Sequence, residues 1–318
     1  MPSTTRVLVL GAAGQVGTDL VYALIKRGYE VIATDIQPPE KVNLPTAYQR
    51  LDATHTKALE SLIRKERIDT VYHLVAMLSA TAEKHPYRGW ELNMNTLLDV
   101  LELARHIGFR VFWPSSIAVF GPTTPKENVP QHTITAPTTV YGISKVAGEL
   151  WCQYYYQRYG VDVRSVRFPG LIGWRAMPGG GTTDYAVEIF YHAIQHRKYT
   201  SFLAAETVLP MMYMPDAIRA VIELMEAPHE TIAIRTSYNI SGIAFSPKQL
   251  AETIQQYIPE FQIDYAPDHR QQIAESWPRT IDDSAARTHW GWHPAYSLDE
   301  MTREMLQHIA RKLATVTP

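Results

Sequence analysis

A tyrosine and a lysine four positions apart, Tyr141 and Lys145, are residues whose types and spacing suit proton transfer. On a helix, this spacing places the phenol and the amine on one face, one turn apart. A free tyrosine has a pKa near about 10 and is a weak base at neutral pH. A nearby ammonium lowers that pKa, so the phenol can take a proton from an alcohol while a hydride leaves the same carbon. Ordinary amphipathic helices also contain such pairs, so the prediction depends on the other motifs.

A serine pair precedes this helix in the sequence. Ser115 and Ser116 follow the apolar run 111–113, which predicts a strand. A hydroxyl at the end of that strand can hold the substrate alcohol beside Tyr141. We therefore predict Tyr141, Lys145 and Ser116 as the catalytic residues.

A glycine-rich turn lies near the start of the chain, between a predicted strand and a predicted helix. The apolar run 6–10 precedes Gly-x-x-Gly-x-x-Gly over 11–17, and a second strand ends at Asp35. Glycines in such a turn let a pyrophosphate approach the helix N-terminus, where free N–H groups and the dipole favour an anion. A carboxylate at the end of the second strand accepts hydrogen bonds from the adenosine ribose. The unit predicts a dinucleotide site that prefers NAD, because Asp35 would repel a 2′-phosphate and Ile36 carries no charge.

Alternating strands and helices are expected to position these motifs. The pattern predicts strands at 31–34, 70–76, 111–114 and 163–168 and helices at 18–27, 58–65, 90–106 and 139–159. Such alternation predicts a Rossmann-type doubly wound α/β fold whose ligands bind beyond the carboxyl ends of the strands, where Gly11, Leu74, Ser116 and Phe168 fall. We expect an NAD-binding domain over 1–170 and a smaller substrate-binding lobe over 171–318, interleaved with the sheet.

Composition excludes several other classes of protein. The net charge is −2 and 46% of the residues are hydrophobic, which gives no electrostatic case for binding nucleic acid or an anionic membrane. No apolar run approaches the roughly 20 residues of a membrane span. Cys152 is the single cysteine, so no intrachain disulfide can form, and we expect its side chain to be buried. The histidines show no metal-ligand clustering. We expect a cytoplasmic protein without a metal.

Three consecutive glycines, 179–181, lie just before a predicted helix at 185–196. The segment 177–184 is either a solvated connector, with Thr183 or Asp184 capping the helix, or a mobile active-site loop. The residues alone leave both interpretations open. Asp52 is similarly ambiguous, since its carboxylate can accept from an adenine amine or lie in a surface turn.

Together, the glycine turn, Asn93 in the long helix, Ser116 and the Tyr141/Lys145 pair resemble the extended short-chain dehydrogenases/reductases. Within that superfamily the chain is similar, over essentially its whole length, to the epimerase-like L-threonine 3-dehydrogenases. The segments that carry this similarity are 114–122, 167–173 and, most specifically, Pro-Gly-Gly-Gly-Thr-Thr-Asp-Tyr-Ala over 178–186. Nucleotide-sugar epimerases share the first two loosely and lack the third.

The resemblance implies NAD-dependent oxidation of the L-threonine 3-hydroxyl to 2-amino-3-oxobutanoate, which decarboxylates to aminoacetone or is cleaved to glycine by a partner enzyme. Tyr141 would be the general base, Lys145 would hold the nicotinamide ribose, and Ser116 would bond the reacting oxygen. The implied NAD contacts are Gly11, Gly14, Gln15, Val16, Gly17, Asp35, Ile36, Asp52, Leu74, Ala76, Asn93, Tyr141, Lys145 and Phe168. The implied substrate contacts are Ser79, Ser116, Tyr141, Gly180, Thr182, Asp184 and Trp277. The resemblance also implies a homodimer through the helices 90–106 and 139–159.

Two other functions remain open from the sequence. A nucleotide-sugar epimerase or dehydratase would need a basic residue for a diphosphate, which Arg175 could supply. Phe120 stands where sugar epimerases often have a tyrosine, and this disfavours that alternative. A non-catalytic dinucleotide-binding regulator predicts loss of the tyrosine or the lysine, and this chain has both.

Overall fold

The computed structural model of the chain describes residues 5–177, 179 and 181–316. The β-strands, numbered in chain order, are β1 (Arg6–Leu10), β2 (Glu30–Asp35), β3 (Ala47–Arg50), β4 (Thr70–His73), β5 (Arg110–Phe112), β6 (Ser115–Ser116), β7 (Val163–Arg164), β8 (Val166–Phe168), β9 (Gly170–Ile172), β10 (Lys198–Ser201), β11 (Leu209–Tyr213), β12 (Tyr238–Asn239), β13 (Ile243–Phe245) and β14 (Gln262–Tyr265). The α-helices are α1 (Gln15–Lys26), α2 (Thr56–Glu66), α3 (Ser79–Lys84), α4 (Pro86–Ile107), α5 (Val140–Tyr159), α6 (Tyr185–His196), α7 (Met214–Glu226), α8 (Pro247–Tyr257), α9 (Arg270–Ser276), α10 (Ser284–Trp290) and α11 (Leu298–Val316).

A parallel six-stranded sheet forms the centre of the N-terminal half. Its order is β3-β2-β1-β4-β5-β7, and each neighbouring pair is parallel. The strand order reverses between β1 and β4, which is the point beyond which dinucleotides bind in doubly wound sheets. The predicted Rossmann-type α/β fold is confirmed.

Helices cover both faces of this sheet. Along β1 the side chains alternate, so Val7 and Val9 enter one core while Leu8 and Leu10 enter the other, and each is at most 1% exposed. The first core contains apolar side chains of α1 and α7, and the second contains side chains of α2, α4 and α5. Burial on both faces explains the continuous apolar run in the sequence of β1.

A separate hydrophobic core lies in the C-terminal half. It packs α6, α8 and α11 against the three-stranded sheet β13-β11-β9 and the β10-β14 pair. The chain after 172 also returns to the first half, because β12 pairs in parallel with β8 and α7 packs in the core beside α1. In the part of the chain that the structure describes, no helix is long and apolar enough to cross a bilayer.

The predicted elements differ from the observed ones mainly at their ends. The predicted strand 163–168 is two strands, β7 and β8, which belong to different sheets. The predicted strand 70–76 ends at His73, and Leu74 and Ala76, which follow it, line the space beyond the sheet. The sequence pattern did not predict β9, β10 or β11.

Candidate active site

A cleft of about 310 Å³ lies at the carboxyl ends of β1, β4, β6 and β8. Its opposite wall comes from residues around 179–184 and from Trp277. The predicted residues that line it are Gly11, Gly14, Gln15, Val16, Gly17, Leu74, Ala76, Ser79, Ser116, Tyr141, Lys145, Phe168, Thr182, Asp184 and Trp277. Residues far apart in the sequence therefore meet in one site, as the parallel sheet predicted.

Tyr141 lies in the first turn of α5, facing Ser116. Thr139 begins the helix, because its side chain accepts a hydrogen bond from Gly142 N at 3.1 Å. Gly142 is required here, since a Cβ atom would lie 2.2 Å from the Ala118 carbonyl oxygen. This close approach brings the start of α5 onto the segment that carries Ser116. The hydroxyl of Ser116 lies close enough to the phenol of Tyr141 to lower its pKa.

The acidity of Tyr141 differs from the sequence prediction. Burial raises the pKa of Tyr141 to about 12, and the nearby Ser116 hydroxyl only partly opposes this. Lys145 does not lower it, because its amine donates to the Pro114 carbonyl at 2.6 Å instead. Tyr141 is therefore a neutral phenol at neutral pH, and the predicted depression of its pKa is absent.

Lys145 is 3% exposed and its amine lies 4.3 Å from the ring centroid of Trp113. Burial lowers the pKa of Lys145 to about 7, although the nearby Glu149 carboxylate acts in the opposite direction. The amine therefore changes charge near neutral pH. A lysine in this state gains a full positive charge when an additional acceptor is placed beside it.

The glycine turn is shaped to receive a dinucleotide. Gly11 has φ +82°, and a Cβ atom on Gly17 would lie 2.2 Å from the Gly11 carbonyl oxygen. These contacts press the turn against the start of α1. Gly14 is the N-cap residue of α1, and no side chain caps that end. The free N–H groups at the start of the helix are therefore available to an anion.

Asp35 lies at the end of β2, next to the turn. Its carboxylate accepts from Ala13 N and from Gln37 N, each at 3.1 Å. The carboxylate is thus fixed beside the glycine turn, where the adenosine ribose of a bound dinucleotide is expected. Ile36 is 58% exposed beside it. The residues present fit NAD at this end of the sheet.

Three of the predicted contacts either do not line the cleft or lie outside the described residues. Asn93 is 5% exposed behind the cleft wall, with its amide bonded to both backbone groups of Met77 and within 3.4 Å of Ser144 Oγ. It positions the chain after β4, and its contact with the cofactor stays a prediction. Asp52 forms a surface turn, accepting from Thr54 N and Oγ1 at 2.9 and 2.7 Å. Gly180 lies outside the described residues.

The substrate wall contains Ser79, the first residue of α3, and Thr182, which is 5% exposed. Asp184 precedes α6, but its side chain makes no cap hydrogen bond there. The carboxylate instead accepts from Gly181 N at 2.6 Å. Asp184 is thus the N-cap residue of α6, as one interpretation of this segment predicted, but the cap lacks a side-chain hydrogen bond to the helix.

A buried ion pair that the sequence analysis missed supports the catalytic strand. The Glu149 carboxylate accepts from Arg167 Nη2 at 2.7 Å and from Ser115 Oγ at 2.6 Å, and all three residues are at most 5% exposed. This network joins α5, β6 and β8 directly behind Ser116. Glu149 lies four residues after Lys145, so the helical spacing could have indicated it.

Arg175, the candidate for binding a diphosphate, pairs with an acidic side chain outside the cleft lining. Its Nε donates to Asp19 Oδ1 at 2.7 Å, and its guanidinium lies 4.2 Å from the Trp174 ring centroid. In the described chain it does not line the cleft, where Lys145 is the one cationic side chain. Within these residues, no group of three His, Cys, Asp or Glu side chains could hold a metal.

Comparisons with known proteins agree with this geometry. The model of the NAD dependent epimerase/dehydratase family matches residues 7–241. A relative from Staphylococcus saprophyticus, an uncharacterized epimerase/dehydratase, is 48% identical over 314 residues, which cover 96% of this chain and 98% of the relative.

Two solved structures are similar over nearly the full chain. A partial consensus L-threonine 3-dehydrogenase is 52% identical with a TM-score of 0.94, covering 96% of this chain and 99% of that one. The holo form of a GalE-like L-threonine dehydrogenase from Cupriavidus necator is 53% identical with a TM-score of 0.93, at the same coverage of 96% and 99%. The cofactor of the present chain is NAD. This chain belongs to the NAD dependent epimerase/dehydratase family.

Proposed function

We propose that this protein is an NAD-dependent oxidoreductase that oxidises the 3-hydroxyl of L-threonine to give 2-amino-3-oxobutanoate. The observation that carries the proposal is the pairing, in one cleft, of Tyr141 and Ser116 with the wall formed by Thr182, Asp184 and Trp277. The two solved structures described above, which are 52% and 53% identical to this chain, are L-threonine dehydrogenases, which supports the same substrate.

The residues divide the chemistry between them. Bound NAD supplies the acceptor for the hydride that leaves C3 of the substrate. Ser116 holds the substrate hydroxyl beside Tyr141, and the phenolate oxygen of Tyr141 takes the hydroxyl proton. Lys145 stabilises that phenolate once its amine leaves the Pro114 carbonyl and carries a charge.

The opposite wall suits a small zwitterion. Ser79 and Thr182 offer hydroxyl donors for a carboxylate, and Asp184 offers an acceptor for an ammonium. A site that hydrogen-bonds its substrate rejects analogues without the matching polar group more strongly than an apolar pocket does. We therefore expect L-threonine to react much faster than 2-butanol, and faster than D-threonine or L-serine.

The alternative, a nucleotide-sugar epimerase or dehydratase, finds less support in the cleft. Its diphosphate needs a cation, and in the described residues Arg175 is paired with Asp19 away from the cleft wall. The deciding experiment follows NADH formation with L-threonine, and product formation with UDP-galactose, in parallel. Turnover of L-threonine alone supports the proposal, and turnover of the sugar nucleotide alone contradicts it.

A homodimer is part of the proposal. On α5, Leu150 is 60%, Trp151 39% and Tyr154 45% exposed, and α4 beside it exposes Tyr87 and Trp90. Apolar side chains of this size on two packed helices are typical of an interface between subunits. Sedimentation at several concentrations measures the mass. A Leu150→Lys variant that sediments as the wild type would contradict the use of this face.

A further inference from the structure

Lys126 makes three hydrogen bonds to the end of one helix. Its Nζ donates to the carbonyl oxygens of Glu275, Ser276 and Trp277 at 2.9, 2.8 and 3.4 Å. These are the last carbonyls of α9 and its C-cap residue, which have no partner within the helix. A cation at a helix C-terminus also interacts favourably with the helix dipole. Lys126 is therefore the cap of α9, contributed by a segment about 150 residues earlier.

The backbone of Lys126 holds the other side of Trp277. Its carbonyl oxygen accepts from Arg279 N at 2.7 Å. The next residues continue this pairing, since Asn128 N donates to Thr280 Oγ1 at 2.7 Å and Val129 forms a parallel bridge with Ile281. One residue thus fixes the chain immediately before and immediately after Trp277.

Trp277 also has contacts of its own at the end of α9. Its own N–H bonds Ala274 O at 3.1 Å, which is the last bond of the seven-residue α9. Its side chain is half-buried, packed between the C-terminal core and Ile117, Val119 and Phe120, and it also lines the cleft. A small shift of the last turn of α9 would move the indole relative to the substrate.

We propose that Lys126 is a positioning residue that sets the place of the Trp277 indole in the cleft and so determines the affinity for the substrate. The inference rests on the proposed function, since it takes Trp277 to contact L-threonine. Lys126 is not a catalytic residue, because it touches neither the cleft nor Tyr141. Removing only its amine leaves the backbone pairing of 126–129 with 279–281 intact.

The test compares Lys126→Met with wild-type enzyme. Methionine keeps the aliphatic stem but removes the three hydrogen bonds, so we expect the KM for L-threonine to rise roughly tenfold, as expected for hydrogen bonds to a charged group. The kcat and the Kd for NAD should stay near their wild-type values. Lys126→Arg should restore most of the affinity. Lys248→Met is the matched control, because Lys248 is exposed and pairs with Glu206 at the surface, away from Trp277.

A double-mutant cycle separates positioning from general support of the fold. In a Trp277→Phe background, Lys126→Met should raise KM much less than it does in the wild type, because both changes act on the same contact. An equal rise in both backgrounds, or no rise in the wild type, would overturn the inference.

Amide hydrogen exchange of residues 270–280 in the free protein gives a readout that needs no substrate. Exchange should become faster in Lys126→Met and stay unchanged in Lys248→Met. If the wild type does not oxidise L-threonine, the proposed function fails, while exchange still tests the cap. If the wild type is active but neither exchange nor KM changes in Lys126→Met, the inference about Lys126 fails alone.

Discussion

The two walls of the cleft are held in place by different means. The wall that carries Ser116 and Tyr141 lies at strand ends and on a long helix, backed by the buried ion pair of Glu149 and Arg167. The wall that carries Thr182 and Trp277 lies on connecting segments, held by Asp184 and by the amine of Lys126. The comparison indicates that the chemistry is built on regular elements and that recognition is built on segments that can vary.

The largest expected effect comes from the wall that carries Ser116 and Tyr141, which we call the chemical wall. Tyr141→Phe removes the group that takes the proton, and general acid–base catalysis contributes about 10²–10⁴-fold, so kcat should fall by that order. The Kd for NAD should stay close to the wild-type value, because the glycine turn and Asp35 hold the dinucleotide. Steady-state turnover assays measure kcat, and titration with NAD measures the Kd.

Ser116→Ala is the companion variant for this prediction. It should lose less activity than Tyr141→Phe, because the phenol remains. If Tyr141→Phe kept most of its rate, the assignment of the base would be wrong and the distinction between the walls would break down.

Cofactor choice tests the same half of the molecule at a second point. Asp35→Ser removes the carboxylate, and losing hydrogen bonds to a charged group costs about 1.5–3 kcal/mol, so kcat/KM for NAD should fall roughly tenfold or more. Efficiency with NADP should rise, because the repulsion of its 2′-phosphate is gone. Glu30→Ser, at the exposed start of the same strand, is the control and should leave the ratio of the two cofactors unchanged. Equal use of both cofactors by the wild type would contradict the role of Asp35.

Substitutions in the wall that carries Thr182 and Trp277, the recognition wall, should change substrate affinity rather than kcat. Thr182→Val keeps the shape of the side chain but removes its hydroxyl, so the KM for L-threonine should rise several-fold, with about 0.5–1.5 kcal/mol typical of one neutral hydrogen bond. NAD binding should not change. Thr200→Val, on the exposed side of β10, serves as the matched control. A fall in kcat with no change in KM would place Thr182 with the chemistry and break the comparison.

The pH dependence of activity should follow the chemical wall alone. The pKa of Tyr141 in the free enzyme is raised to about 12, so the phenolate fraction, and with it kcat/KM, should rise with pH from neutral to alkaline solution. Ser116→Ala should move the rise to higher pH, because the Ser116 hydroxyl lowers the pKa of Tyr141 and the variant lacks it. Thr182→Val should keep the wild-type profile. A wild-type profile that is flat over this range would contradict a proton transfer through Tyr141.

Burial of Lys145 should also affect the stability of the folded protein. The pKa of Lys145 is lowered by burial from 10.5 to about 7, so between these values the unfolded chain binds a proton that the folded chain does not. The stability of the wild type therefore rises with pH across this window. The contribution of the Lys145 site is lost as the pH falls toward about 7. Lys145→Met removes this dependence, so its advantage in thermal unfolding should be greatest near neutral pH and shrink toward pH 10.5. Lys248→Met should show no such trend, and the same trend in both variants would contradict the explanation.

The sequence by itself determined the parts of this protein that depend on neighbours along the chain. The Gly11–Gly17 turn, the acid at the end of β2 and the Tyr141/Lys145 spacing each combine a local backbone requirement with local chemistry, so their types and intervals predicted the fold and the NAD site. The cap at Thr139 was predictable for the same reason, since capping involves residues within one turn.

Only the tertiary structure decided the state of those groups and the form of the opposite wall. The raised pKa of Tyr141 follows from burial, and the amine of Lys145 bonds Pro114 because β6 passes beside α5. The cap that Lys126 places on α9 joins segments that no local pattern links. Burial and long-range hydrogen bonds depend on how distant segments pack, and no local motif in a single sequence specifies that packing.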